Sequence, residues 1–401
     1  MKANAIFQEY NDHILLTYTR MPAIFVKGKG SMLTDIQGKK YLDFFPGWGV
    51  SNLGHCHPKV MGAVREQIGK LIHIPNNLYN PHQAKLAKEL IRIAFEGKIF
   101  FCNSGAEANE AAIKFARMWG SELQKFEIIT TINSFHGRTM GALSATGQEK
   151  HQKGFTPLVP GFKSVAFNDI NAIKSAITPQ TAAIIIELIQ GEGGINIASQ
   201  QYVQALRKIC DEKKILLVFD EVQTGMARTG EIFGYKHYKV TPDIMCLAKA
   251  LGGGLPIGAM IVKKELADTF KPGMHGSTFA GSPLVCKAAL GVIKAIYAEH
   301  IMKNVKSQGP YLIAKLNELK SKYDIIKEVR GVGLMIGVEL TIEGAAIFKA
   351  CFERGLIINC TQGNVLRIMP ALNVTRRQIN KAVHTLDLAI EAVGQSQKVT
   401  I

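Results

Sequence analysis

Long apolar runs are missing from this sequence. Stretches such as Ala182 to Ile186 are strand-sized, far short of the roughly 20 residues that a membrane-crossing helix needs. The opening residues, Met1-Lys-Ala-Asn-Ala-Ile-Phe-Gln-Glu-Tyr, hold no apolar core of a secretory signal, and a cytoplasmic location is expected. Cysteine is sparse: seven residues, an odd number, with no Cys-x-x-Cys pair. That pattern implies no disulfide framework. His55-Cys56-His57 fits no zinc spacing and has no second ligand pair, so no metal site is expected. Acidic residues are outnumbered, 32 against 48 Lys and Arg, for a net charge of +16. The basic residues run along the whole chain, with neither an arginine-rich arm nor a clustered basic helix. Such a spread fits a solvated surface that attracts anionic metabolites better than a nucleic-acid interface. Internal repeats and low-complexity linkers are absent as well.

What is present is ordinary globular composition: 401 residues, 47% hydrophobic and 20% charged, long enough for a large core and two domains. Residues 1–30 are poorly patterned. Met32 to Phe45 reads as a hairpin turning at Gln37-Gly38-Lys39. Helices are predicted from Pro58, with Val60, Met61, Val64, Ile68 and Leu71 at helical spacing, and from Pro81, with Leu86, Leu90 and Ile93 inward. Strands at 98–102, 127–131, 182–187 and 215–219 then alternate with helices at 106–118 and 200–212. That rhythm predicts an α/β fold with a mostly parallel central sheet covered by helices. After Ala298 a smaller α+β pattern follows: helices near 305–320 and 344–354, strands at 325–330, 333–340, 356–359 and 365–368, and a last helix from about Thr375. The expected division is a large domain over 55–300 and a small one over 301–401, joined by the N-terminal segment 1–54, since chain ends often meet.

The stretch from Ile215 to Gly254 organises the chemistry. Two short apolar runs end at charged residues, Asp220 and Lys249. In open α/β sheets, ligands bind beyond the carboxyl ends of the strands, so both could face one crevice. A lysine between Ala248 and Ala250 invites a lowered pKa, which a Schiff-base lysine needs; a strand-end Asp with a surface Lys is the bland alternative. At Asn103-Ser104-Gly105-Ala106 a strand gives way to a helix, where free amides could cradle phosphate or Ser104 could merely cap. Phe135 and Arg138 could supply a flat ring and a carboxylate fork, or pack and solvate. Glu187 and Glu192 flank the Gly-rich turn at Gly191. His275-Gly-Ser277-Thr278 could reach a phosphate or be a plain turn. Together these supply a phosphate cradle, an aromatic plate, an acid for a ring nitrogen and an imine-forming lysine. That set is what pyridoxal phosphate requires of a protein.

On these residues the sequence resembles the class III (ω-amino acid) aminotransferases, fold-type I pyridoxal phosphate enzymes, from about Gly28 to Val393. Asn-Ser-Gly-Ala-Glu-Ala, Phe-His-Gly-Arg, Gln-Gly-Glu-Gly-Gly, Phe-Asp-Glu-Val-Gln-Thr-Gly and Lys-Ala-Leu-Gly-Gly-Gly occur in the family's order. Within the family it is most similar to the branch that uses acetylornithine. The resemblance implies that Lys249 carries pyridoxal 5'-phosphate and shuttles a proton, and that Asp220 pairs with its ring nitrogen. Phe135 would stack on the ring and Gln223 touch its 3-oxygen. Ser104, Gly105 and Ala106 would bind the phosphate, with Glu221 and Val222 also beside the cofactor. Thr278 would reach a phosphate across a homodimer interface. Arg138 and Ser277 would bind the donor, Arg367 would bind the α-carboxylate of 2-oxoglutarate, and Glu192 would gate Arg367. Neither nucleic acid nor membrane is an implied partner. The sequence departs from the family at Leu188, Ser282 and Met369. Other terminal-amine donors, and a glutamate-1-semialdehyde aminomutase of the same fold, are the alternative activities; Arg138 and Gln223 argue against the mutase. A non-catalytic phosphate-ligand or nucleic-acid binder is favoured only by the charge.

Overall fold

The computed structural model describes residues 3–398, the side chains of 395–398 aside. A seven-stranded sheet forms the centre, in the spatial order Gly97–Cys102, Gly258–Lys263, Ile244–Leu247, Leu216–Asp220, Thr181–Glu187, Glu127–Thr131 and Phe162–Val165. The five strands from Ile244–Leu247 to Phe162–Val165 are parallel. Gly258–Lys263 runs against both its neighbours. Thr181–Glu187, Leu216–Asp220 and Ile244–Leu247 are buried at every position, which is why they read as unbroken apolar runs rather than alternating ones. Helices cover both faces, and two apolar clusters, one on each side of the sheet, fill the space between.

From Glu127–Thr131 the chain moves outward to the edge strand Phe162–Val165, then returns to pair Thr181–Glu187 on the other side. Such a reversal opens a crevice beyond the strand ends. Glu187 and Asp220 stand side by side at that edge, paired in register, with Cys246 next to Asp220.

A second, antiparallel sheet, Ile326–Val332, Met335–Leu340, Val365–Ile368 and Asn359–Thr361, lies in the C-terminal part, where the helices Ile301–Lys322, Ala345–Glu353 and Arg376–Lys398 also fall. The N-terminal strands Phe25–Lys29, Met32–Asp35 and Lys40–Asp43 form a third sheet, completed by Leu356–Ile357.

Four details differ from the sequence reading. The first thirty residues hold a helix, Ala3–His13, and a strand, Phe25–Lys29; the helix buries no residue, so little apolar patterning marks it. Ile68 and Leu71 do not face inward but stand 51% and 45% exposed. The stretch 356–359 is not one strand: the chain leaves one sheet at Ile357 and enters another at Asn359. The strands Phe162–Val165 and Gly258–Lys263 and the helices Met140–Ala145, Ile170–Ala176 and Pro283–Ala298 escape the pattern reading altogether.

Candidate active site

Asp220 closes one of the three fully buried strands of the sheet. Its carboxylate is 5% exposed as a residue and held on three sides. Oδ2 accepts from His136 Nδ1 at 2.8 Å and from Asn109 Nδ2 at 2.7 Å, and Oδ1 accepts from the Val222 amide at 3.0 Å. Burial would lower the pKa of His136, but its hydrogen bond and charge contact with Asp220 outweigh this and raise it. Glu187 lies beside them. Burial pushes its carboxyl up to about 7, Asp220 adding to the effect and His136 opposing it. Its oxygens accept from the amides of Phe135 and Gly191 at 2.9 and 3.3 Å.

Lys249 follows the strand Ile244–Leu247 and opens a single 3-10 turn, Lys249–Gly252. Its φ of 46° is left-handed, uncommon for a residue with a side chain and a feature that clusters at functional sites. The residue is half-buried. Burial lowers its pKa, against the pull of Glu192, Asp220 and Glu187 and with help from Arg367. The four groups are thus its electrostatic neighbours. A lysine so placed keeps a larger share of neutral, nucleophilic amine.

Glu192 and Arg367 form a two-pronged ion pair, Nη1 to Oε1 at 2.6 Å and Nη2 to Oε2 at 3.1 Å. Arg367 is 1% exposed; its Nε donates to Asn359 Oδ1 at 2.7 Å and its guanidinium lies 4.8 Å from the centre of the Phe45 ring. Burial would raise the Glu192 carboxyl, but Arg367, through charge and hydrogen bonds, with Lys249 and His151, holds it below the usual carboxylate range.

Ser104 caps the helix Gly105–Gly120, accepting from the Glu107 amide at 3.1 Å. Gly105 packs so tightly that an added Cβ would come within 2.7 Å of Val222 Cγ1. Phe135 carries Arg138 at 5.5 Å over its ring and His151 edge-on at 5.8 Å. Arg138 is exposed, and among the described residues no carboxylate pairs with it. Gln223 is 8% exposed, yet its Oε1 has no hydrogen-bond partner. Ser277 Oγ accepts from Asn103 Nδ2 at 2.9 Å. Thr278 is exposed. Glu221 faces the other way: its oxygens accept from the amides of Gly234 and Tyr235 and the hydroxyl of Thr224, at 2.6 to 2.8 Å. Its work within the chain is to hold the loop behind Asp220. Of the three departures, Leu188 and Met369 are fully buried, and Ser282 starts the helix Pro283–Ala298 without a side-chain cap.

His136, Asn109 and Asn359 had no assigned role in the sequence reading. His136 was visible inside Phe-His-Gly-Arg; nothing local marks Asn109 or Asn359, whose partners lie 111 and 8 positions away.

The donor set fits pyridoxal phosphate. A helix N-terminus with free amides suits phosphate, a buried carboxylate suits a protonated ring nitrogen, and the orphaned Gln223 Oε1 needs a polar partner that the chain does not supply.

Comparison with known proteins agrees. The model of the class-III aminotransferase family matches residues 16–390. The chain is 53% identical to the acetylornithine aminotransferase of Methanocaldococcus jannaschii, over 93% of this chain and 94% of that one. It is 49% identical to that of Caldanaerobacter subterraneus subsp. tengcongensis, over 94% and 96%. Among solved structures, the ornithine aminotransferase of Toxoplasma gondii superposes with a TM-score of 0.95 at 32% identity, covering 99% of this chain and 96% of that one. The acetylornithine aminotransferase of Elizabethkingia anophelis gives 0.88 at 30%, covering 98% and 100%. Family model, relatives and crevice meet in one statement: the chain belongs to the class-III aminotransferases and uses pyridoxal 5'-phosphate.

Proposed function

We propose that this enzyme moves the terminal amino group of N2-acetyl-L-ornithine to 2-oxoglutarate, giving N-acetyl-L-glutamate 5-semialdehyde and L-glutamate, a step of arginine synthesis. The observation that carries the reading is a contrast between two arginines. Arg367 is buried and covered by Glu192, whereas Arg138 is exposed with no carboxylate partner. A donor reacting through its terminal amine must keep its α-carboxylate off Arg367, and the dicarboxylate acceptor must reach it. An uncovered buried guanidinium would take either. Glu192 covers Arg367 while the donor, held by Arg138, reacts; it turns aside for the acceptor.

Bound pyridoxal phosphate supplies an aldehyde that takes up the amino group and a ring that accepts electrons. The amides of Gly105 and Ala106 would hold its phosphate, Phe135 would pack on its ring, and Gln223, whose Oε1 has no partner within the chain, would bind its ring oxygen. Asp220, braced by His136 and Asn109, would keep a proton on the ring nitrogen. Lys249 Nζ would hold the cofactor and would be the base that moves a proton at the substrate carbon.

A homodimer belongs to the same proposal. Thr278 is exposed beside exposed Phe279, which touches His73. Leu71, Ile72, Leu78 and Tyr79 are exposed nearby in sequence, an apolar surface of the kind that marks an interface. The division into a large unit over 55–300 and a small one over 301–401 with residues 1–54 is likewise proposed. The pairing of Lys40–Asp43 with Leu356–Ile357 supports it. A cytoplasmic location accords with a biosynthetic role, and among the described residues no helix is long and apolar enough to cross a membrane.

The test is a panel of amino donors with 2-oxoglutarate as acceptor, read as glutamate formed. N2-acetyl-L-ornithine is expected to give the highest kcat/KM. A higher value for ornithine, succinyldiaminopimelate, succinylornithine or 4-aminobutyrate would replace it as donor, and turnover without 2-oxoglutarate would point to the aminomutase.

A further inference from the structure

The strand Asn359–Thr361 pairs antiparallel with Val365–Ile368, Asn359 opposite Arg367 and Thr361 opposite Val365. The two-residue period of a strand sets Asn359 and Thr361 on one face and Cys360 on the other. Cys360 accordingly turns its thiol to the carbonyl of Gly363. On the shared face the two side chains grip opposite members of the ion pair. Asn359 Oδ1 accepts from Arg367 Nε at 2.7 Å. Thr361 Oγ1 donates to the backbone carbonyl of Glu192 at 2.7 Å, and Gln362 Nε2 donates to that same carbonyl at 2.6 Å.

Gln362 holds a left-handed φ of 53° to do this, a conformation disfavoured for a residue with a Cβ. Its amide also donates to Gln148 Oε1 at 3.1 Å, and Gln148 Nε2 donates to the Ser134 carbonyl at 3.0 Å, one residue before Phe135. The turn that carries Glu192 is flanked by Gly191 and Gly193, residues whose backbone is permissive. Two donors on one carbonyl remove that freedom. The carboxylate can then leave Arg367 by rotation about its own side-chain bonds, and it returns to the same place.

We propose that Thr361 and Gln362 are positioning residues that set the discrimination between terminal-amine and α-amino donors. They hold the Glu192 backbone so that its carboxylate covers Arg367, while Asn359 keeps the guanidinium in the plane that a substrate carboxylate meets. The proposal rests on the gating role of Glu192 given above. Loosening the Glu192 backbone uncovers Arg367; detaching Asn359 spoils the orientation of Arg367. The two changes move carboxylate binding in opposite directions.

The test titrates the holoenzyme with glutarate, which has both carboxylates of 2-oxoglutarate and no keto group, and compares the first half-reaction with N2-acetyl-L-ornithine and with L-glutamate. In the Thr361→Val/Gln362→Leu double variant, glutarate is expected to bind about tenfold tighter, and the kcat/KM ratio of the terminal donor over glutamate to fall about tenfold, the size of effect that one or two hydrogen bonds carry. The absorbance of the bound cofactor should not change. Thr361→Ser, which keeps the hydroxyl, should behave as the parent, and Asn359→Leu should weaken glutarate about tenfold. Gln362→Leu alone repeats the measurement if the double variant does not fold. Glu192→Gln separates the two layers. If it tightens glutarate and the double variant does not, the proposal is overturned and the gate stands. If it moves neither glutarate nor donor preference, the gate falls and the proposal with it.

Discussion

His136 Nδ1 lies 2.8 Å from Asp220 Oδ2, and both side chains are closed off from water. The imidazole is the wall against which the carboxylate is set, since it both donates to Asp220 and keeps its charge company in a dry place. A hydrogen bond to a charged group contributes about 1.5–3 kcal/mol. His136→Ala is therefore expected to lower kcat roughly thirtyfold in both half-reactions, with KM for the donor little changed. The pH titration of the bound cofactor's absorbance should shift along with kcat. Unaltered kcat would show that Asn109 and the Val222 amide suffice to hold Asp220.

Glu187 gives the fold a pH dependence. Burial lifts its carboxyl to about 7. Between the ordinary carboxylate range and that value, the unfolded chain gives up this proton while the folded one keeps it. The unfolded state then binds fewer protons, so stability falls as pH rises through the window and levels off above it. His136, raised by Asp220 against the effect of burial, acts with the same sign at higher pH. Glu187→Gln removes the titration and keeps an acceptor for the Phe135 amide. The melting temperature of this variant should depend less steeply on pH between about 5 and 7 than that of the parent.

Arg228 ties three parts of the chain together. It is fully buried, its guanidinium donating to the carbonyls of Leu334 and Pro370 at 2.9 and 2.7 Å and to the Asn52 side chain. Burial alone pushes its pKa down to about 9. Arg228→Met would leave these acceptors without their donor at about 1–3 kcal/mol each. A loss of roughly 3 kcal/mol in denaturant unfolding is expected, with the cofactor still bound in the folded fraction. A loss under about 0.5 kcal/mol, the range of ordinary surface changes, would contradict this role.

The parts of the fold that could be read in advance are those whose signal is local. Ala182–Glu187 and Leu216–Phe219 declare themselves because a strand buried on both faces must be apolar throughout. Ser104-Gly105 and Lys249 followed from strand ends and helix starts. Gly258–Lys263 eluded the pattern because its glycine and central Met260 blur its β signal, and its antiparallel place between two other strands is set by tertiary pairing. Ala3–His13 buries nothing within this chain, so its pattern has no core to report on. In the crevice, the charged residues were legible one by one, but their supports were not. Asn109 reaches Asp220, and Thr361 and Gln362 reach the backbone of Glu192, across 111, 169 and 170 positions, and a lone polar side chain on a helix or strand says nothing of such a partner.

The central claim is that the amine of Lys249, on a half-buried side chain just past the end of its strand, carries the cofactor. Borohydride reduction of the purified enzyme, followed by peptide mapping, tests it most directly. The account predicts a pyridoxyl group on the peptide containing Lys249 and on no other, with no labelling and no activity in Lys249→Ala. A label on a different lysine, or a Lys249→Ala enzyme that still turns over, would contradict it.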